Sequence, residues 1–177
     1  MAHQGVHRVE GEAAAEVDPA ERTTLVGHES LLLGAPPSLT LAELAQRAGT
    51  SMEVAQKFWR AMGFADVQPD EVRFTDQDVA ALQDTVALLD ETSDSSLAAA
   101  SALELLRAQS YTMDRLVLWE LETFVTDLSE RLGLDDTAAR LVALDRIDGL
   151  VELLSRQLTY VWRRHMASIL GRTDAEV

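Results

Sequence analysis

The stretch SLTLAELAQRAGTSMEVAQKFWRAMGF, residues 38–64, carries two short amphipathic runs separated by Ala48-Gly49-Thr50. Thr40 with Glu43 and Thr50 with Glu53 are capping-box patterns, and each opens a run of apolar residues at helical spacing. Two helices joined by a tight turn are expected. A third, weaker box, Thr75 with Asp78, opens another helix, while Gly63 to Phe74 has the turn chemistry of a small hairpin or extended wing.

Working outward, Asp18-Pro19 is a helix-start signal, and Leu25, Val26, Leu32 and Leu33 form an apolar face that ends at Gly34-Ala35-Pro36-Pro37. Residues 1–17 lack helical periodicity and read as a flexible arm. Beyond residue 94 the texture becomes Ala- and Leu-rich and free of proline, with Gly133 and Gly149 as breakers. The spacing predicts a long helix or bent pair over 95–132, a short helix over 136–147, a last helix over 149–170 and a tail at 173–177. The fold class is therefore all-α, a helix-turn-helix subdomain over 18–93 followed by a helical bundle and dimerisation region over 94–172. No internal repeat is evident.

The chain has 177 residues, 47% of them hydrophobic, enough for a sizeable core. Its 30 acidic residues against 15 Lys and Arg give a net charge of −15, which repels phosphate backbones and anionic lipid surfaces alike. Zero cysteines exclude disulfides, zinc-thiolate centres and thiol catalysis. No apolar run approaches the ~18 residues of a membrane span, and the N-terminus lacks the apolar core of a signal peptide, so a cytoplasmic location is expected.

ELAQRAGTSMEVAQKFWRAMGF, followed by a wing and FTDQDVAALQ, resembles the winged helix-turn-helix of MerR-type transcription regulators. A DNA reader must offer cations to phosphates and polar groups to base edges. From Thr40 to Asp84 there are four bases (Arg47, Lys57, Arg60, Arg73) against eight acids, with Asp66, Asp70 and Glu71 in the wing itself. A packing module that has lost DNA binding is expected.

In the last helix Ile147, Val151, Leu154, Leu158, Val161, His165 and Ile169 follow one another at spacings of 4, 3, 4, 3, 4 and 4 residues, which is one continuous face. Such a stripe packs against the preceding helices or a symmetry mate. Burial on that seam and the helix C-terminus pull the protonation of His165 in opposite directions, which suits a pH switch, although a histidine satisfied by one hydrogen bond in a core reads the same way. His28, beside Glu29, is a second switch candidate. Trp162, with Tyr111 and Trp119, suggests burial beyond one chain.

The whole layout also resembles the N-terminal regulatory domain of actinobacterial class III adenylate cyclases. The matching features are ERTTLVGHESLLLG near the start, the degenerate MerR-like segment, the Ala-rich long helix and a final helix ending in Arg164-His165-Met166, together covering about residues 18–172. The resemblance implies a disc-like homodimer that holds a C-terminal cyclase catalytic domain of the same polypeptide inactive, responds to acid through His165 and Met166, and holds a fatty acid in an apolar cavity. Leu121, Phe124, Leu154, Leu158, Val161 and Trp162 are the candidates for dimer contact or cavity lining. No catalytic residue, metal or other cofactor is expected in this chain. Phe64-Ala65-Asp66-Val67 looks like the opening of the cyclase metal motif, but it continues into a wing turn and is assigned no metal. The alternatives are a MerR-like transcription regulator with a ligand-sensing helical half and a stand-alone lipid-binding module.

Overall fold

The computed structural model describes residues 27–175 apart from 91, 93 and 95; the expected arm at 1–17 and the Asp18-Pro19 helix start lie outside them. Residues 27–32 are helical (α1), and the chain turns at Gly34, whose φ of +74° lies in the left-handed region that favours glycine. Four named helices come next: α2 (Leu41–Arg47), α3 (Met52–Ala61), α4 (Asp76–Leu88) and α5 (Ala99–Leu132), before a final α6 (Asp136–Ala175). Every regular element among the described residues is helical.

Local chemistry starts most of these helices. The Thr40 backbone N–H donates to the Glu43 carboxylate at 2.8 Å, and the Glu43 N–H donates back to Thr40 Oγ1 at 3.4 Å, closing the expected box. At Thr75 the backbone N–H donates to the Asp78 carboxylate at 2.7 Å. The second box is off by one residue: Ser51, not Thr50, is the N-cap of α3, its Oγ accepting from the Val54 N–H at 3.3 Å. Asp135 caps α6 by accepting from the Ala138 N–H at 2.8 Å.

Two further expectations are corrected. Residues 64–74 form no hairpin of their own; they are extended and turned, and they return to the segment before α2 through one antiparallel bridge, Leu39 with Phe74. Pro69 and the turn closed by the Glu71 N–H on the Gln68 carbonyl interrupt any ladder within the loop. Gly149 does not divide the last two helices. α6 runs through it for 40 residues, past the tail expected at 173. An interior glycine costs about 1 kcal/mol relative to alanine, which packing along a long apolar stripe readily exceeds. Because a Cβ at Gly149 would meet no atom within 4 Å, Gly149→Ala is expected to raise the melting temperature by about 2–4 °C, measured by circular dichroism.

The apolar residues gather into two cores. Around α2, α3 and α4, Leu39, Leu41, Leu44, Phe58, Phe74 and Leu82 close a first cluster. At the other end, α5 ends at Gly133 in the left-handed conformation and α6 folds back along it, burying Val125, Leu128, Ala139 and Ala143. The small Ala139 and Ala143, fully buried, let the two helices approach closely. α5 joins the two cores, packing on α3 near its start and on α6 near its end.

Candidate functional site

Three cations of α2 and α3, and Arg73 in the loop before α4, stand on the surface, and each is already held by a carboxylate of the same chain. Arg47 reaches Asp76 at the start of α4 at 2.7 Å. Lys57 pairs with Glu53 one turn earlier at 2.7 Å, and Arg73 with Glu29 of α1 at 3.5 Å. Arg60 grips both carboxylate oxygens of Asp66, which fixes the loop after α3 to the helix. The Arg60 guanidinium hydrogen bonds hold the Asp66 carboxyl below the ordinary carboxylate range. The bond from Lys57 does the same for Glu53. Asp66, the acid of the Phe64-Ala65-Asp66-Val67 look-alike, is thus committed to an ion pair.

Around this grip the loop is further tied down. Trp59 Nε1 donates to the Ala65 carbonyl at 2.8 Å, and its ring lies 4.4 Å from that of Phe64 and 4.9 Å, edge-on, from that of Phe74. Ser110 of α5 donates from Oγ to the Met62 carbonyl at 2.6 Å, anchoring the C-terminal end of α3 to the long helix. Sequence reading missed Ser110, since nothing in its neighbourhood on α5 announces a partner 48 residues away.

The second feature is the α5–α6 pair beyond the second core. Its two helices leave two open grooves with largely apolar walls. One, of about 560 Å³, is lined by Trp119 and Phe124 on α5 and by Leu154, Leu158 and Val161 on α6. The other, of about 700 Å³, reaches from Met62 and Phe64 past Met113 to Leu158 and Trp162. Of the proposed contact residues, five therefore line a groove. Leu121 does not; it packs against the second core, as Phe124 also does.

The seam on α6 is real only in part. Ile147, Val151, Leu154 and Leu158 are half-buried, but Val161, His165 and Ile169 are exposed in the single chain. His165 and Met166 border neither groove. Among the described residues His165 is exposed, so the expected burial on the seam is not seen there. His28 is half-buried, its Nδ1 lying 4.0 Å from Asp148 of α6, so α1 meets the last helix there. Tyr111, Trp119, Tyr160 and Trp162 are all well exposed, at 66, 66, 64 and 58%. They lie on α5 and α6, Trp119 bordering the first groove and Trp162 the second.

Comparison with known proteins gives the segment its relatives. No family model matches the chain. It is 36% identical over 171 residues to a protein named adenylate cyclase from Streptomyces coelicolor, covering 95% of this chain and 43% of that protein. It is 32% identical over 163 residues to one from Glutamicibacter nicotianae, covering 92% and 40%, and 33% identical over 158 residues to one from Streptomyces griseus, covering 88% and 38%. The chain is therefore related to adenylate cyclases over nearly its whole length, and it spans about two-fifths of the length of these relatives. No helix among the described residues is long and apolar enough to cross a membrane.

Proposed function

We propose that this chain is a regulatory, autoinhibitory part of a class III adenylate cyclase, acting as a homodimer without catalysis of its own and responding to pH and to a bound fatty acid. The observation that carries the reading is the relation to adenylate cyclases, which takes in almost all of this chain and less than half of each relative. A segment that is all helix and shared by cyclases, with its chemically distinctive acid locked to Arg60, suits control better than chemistry.

In this reading the α2–α3 pair keeps the shape of a MerR-like DNA reader and serves as a packing element. Its cations are held by carboxylates of the same chain, so none is left over to neutralise a phosphate. The open grooves on α5 and α6 supply the surface that a second copy covers and the apolar walls that a fatty acid needs. The switch is a two-state bias: a proton or a ligand moves the equilibrium only as far as it prefers one state. With the neutral imidazole of His165 packed in a two-chain seam and the imidazolium favouring an exposed or extended α6, acid shifts the population toward the exposed state.

This is tested in a chimera that joins the chain, in place of the matching segment, to the remaining part of the S. coelicolor relative. Cyclase activity is measured as a function of pH. His165→Ala is expected to remove most of the change in activity across the ordinary range of histidine titration, about pH 5–8. An unaltered profile would show that His165 has no part in the response.

A further inference from the structure

The groove that Trp119, Phe124, Leu154, Leu158 and Val161 wall with apolar surface also holds a carboxylate without a counter-ion. Glu120 lines it and is half-buried, and no Lys, Arg or His borders it. The neighbouring acids of α5 are taken within the chain, Asp127 by Arg131 at 2.8 Å and Glu122 by Arg140 at 3.0 Å. Glu120 makes no ion pair among the described residues. Covering an ionised carboxylate with apolar surface is costly unless a partner of opposite charge comes with the cover, so whatever closes this groove must bring a cation.

α6 carries such a cation just beyond the groove. Its groove-lining face runs through Leu150, Leu154, Gln157, Leu158 and Val161. Continued at spacings of three and four residues, the same face presents Arg164, His165 and Ile169. Arg156, two turns before Arg164, is held by Glu152 at 3.1 Å, whereas Arg164 is exposed and no carboxylate of the described residues holds it. We infer that the last turns of α6 from a second copy close this groove, the partner's Arg164 pairing with Glu120. This rests on the homodimeric reading given above and specifies the charge pair that sets its register.

Helix geometry supports the pairing. α5 and α6 are packed neighbours joined through Gly133, so Glu120, 12 residues before the end of α5 at Leu132, stands level with Asp148, 12 residues after the start of α6 at Asp136, about 18 Å from the turn. A two-fold axis crossing α6 near Gln157, midway between Leu150 and Arg164, brings Arg164 of each copy level with Leu150 and Glu120 of the other. It also sets Leu154 of each copy against Val161 of the other, with Leu158 close to the axis. The unpaired acid and the unpaired cation lie on one face of the same pair of helices, so the surface is complementary to itself, as an isologous interface must be. The planar guanidinium fork of arginine suits a carboxylate that it can grip with two hydrogen bonds.

Two charge-reversed variants of the whole chain, Glu120→Arg and Arg164→Glu, test the pairing by analytical ultracentrifugation. The wild type is expected to sediment as a dimer. Each variant alone is expected to dimerise roughly hundredfold more weakly, because like charges then face each other at both symmetry-related contacts. Both positions lie outside the two cores, so circular dichroism should be retained. Mixed in equal amounts, the two variants are expected to recover dimerisation close to that of the wild type. The introduced arginine of one then meets the introduced glutamate of the other, and the native Arg164 of the first meets the native Glu120 of the second. A dimeric wild type whose variants pair as tightly as it does, or whose mixture shows no recovery, overturns the charge pair and leaves the homodimer standing. A monomeric wild type overturns both.

Discussion

Phe74→Ala is expected to remove about 3–5 kcal/mol of stability, the cost of deleting a fully buried aromatic ring and leaving a cavity that its neighbours only partly fill. Phe74 is 0% exposed, its ring meets Trp59 edge-on, and its backbone exchanges hydrogen bonds with Leu39. It therefore ties the loop after α3, the segment before α2 and the first core together at one point. Against a typical total of about 5–15 kcal/mol, the loss would leave this part of the molecule marginal. Urea unfolding followed by fluorescence and circular dichroism measures it. Phe74→Leu, which keeps most of the volume, should cost less than about 1.5 kcal/mol. A loss below about 1 kcal/mol for Phe74→Ala would show that the loop is not held through this ring.

The second large effect concerns the grooves. Leu154 and Leu158 are half-buried in a single chain and line the 560 Å³ groove between α5 and α6. If a second copy covers that groove, a carboxylate at each position must be desolvated without a partner. Each such burial costs several kcal/mol, so the double variant Leu154→Asp, Leu158→Asp is expected to weaken the dimer roughly thousandfold or more. Multi-angle light scattering should then give twice the chain mass for the wild type and the single mass for the variant. The secondary structure should survive, because both positions lie outside the second core of Val125, Leu128, Ala139 and Ala143. Wild-type protein that is monomeric, or a variant that remains dimeric, would place the dimer contact elsewhere.

Features that depend on a few neighbouring residues were legible in the sequence. The boxes at Thr40 and Thr75, the cap at Asp135 and the left-handed Gly133 all follow from chemistry within four residues. The slip at α3 is of the same local kind: Thr50 and Ser51 are adjacent hydroxyl residues, and backbone register alone decides which one caps. Gly149 misled because helix propensity is a weak prior beside the packing of a stripe that continues on both sides of it. The pairing of the loop with Leu39 was hidden for a different reason. It joins segments 35 residues apart, and neither carries strand periodicity.

Charge was legible as a balance and not as an arrangement. The count between Thr40 and Asp84 showed too few cations, but not that Arg47 would hold Asp76, that Arg73 would hold Glu29 or that Arg60 would clamp Asp66. Those partners are set by the fold. The same limit applies to the seam through His165. Its spacing is plain in the sequence, yet among the described residues Val161, His165 and Ile169 of that stripe are exposed.

The most direct test of the regulatory reading is to excise, from the S. coelicolor relative, the segment that matches this chain, and to compare cAMP formation by the remainder and by the intact protein across pH. Autoinhibition predicts that the remainder is several-fold more active per mole where the intact protein is least active, and that its pH profile is flatter. A folded remainder whose activity and profile match those of the intact protein, or whose activity falls, would contradict it.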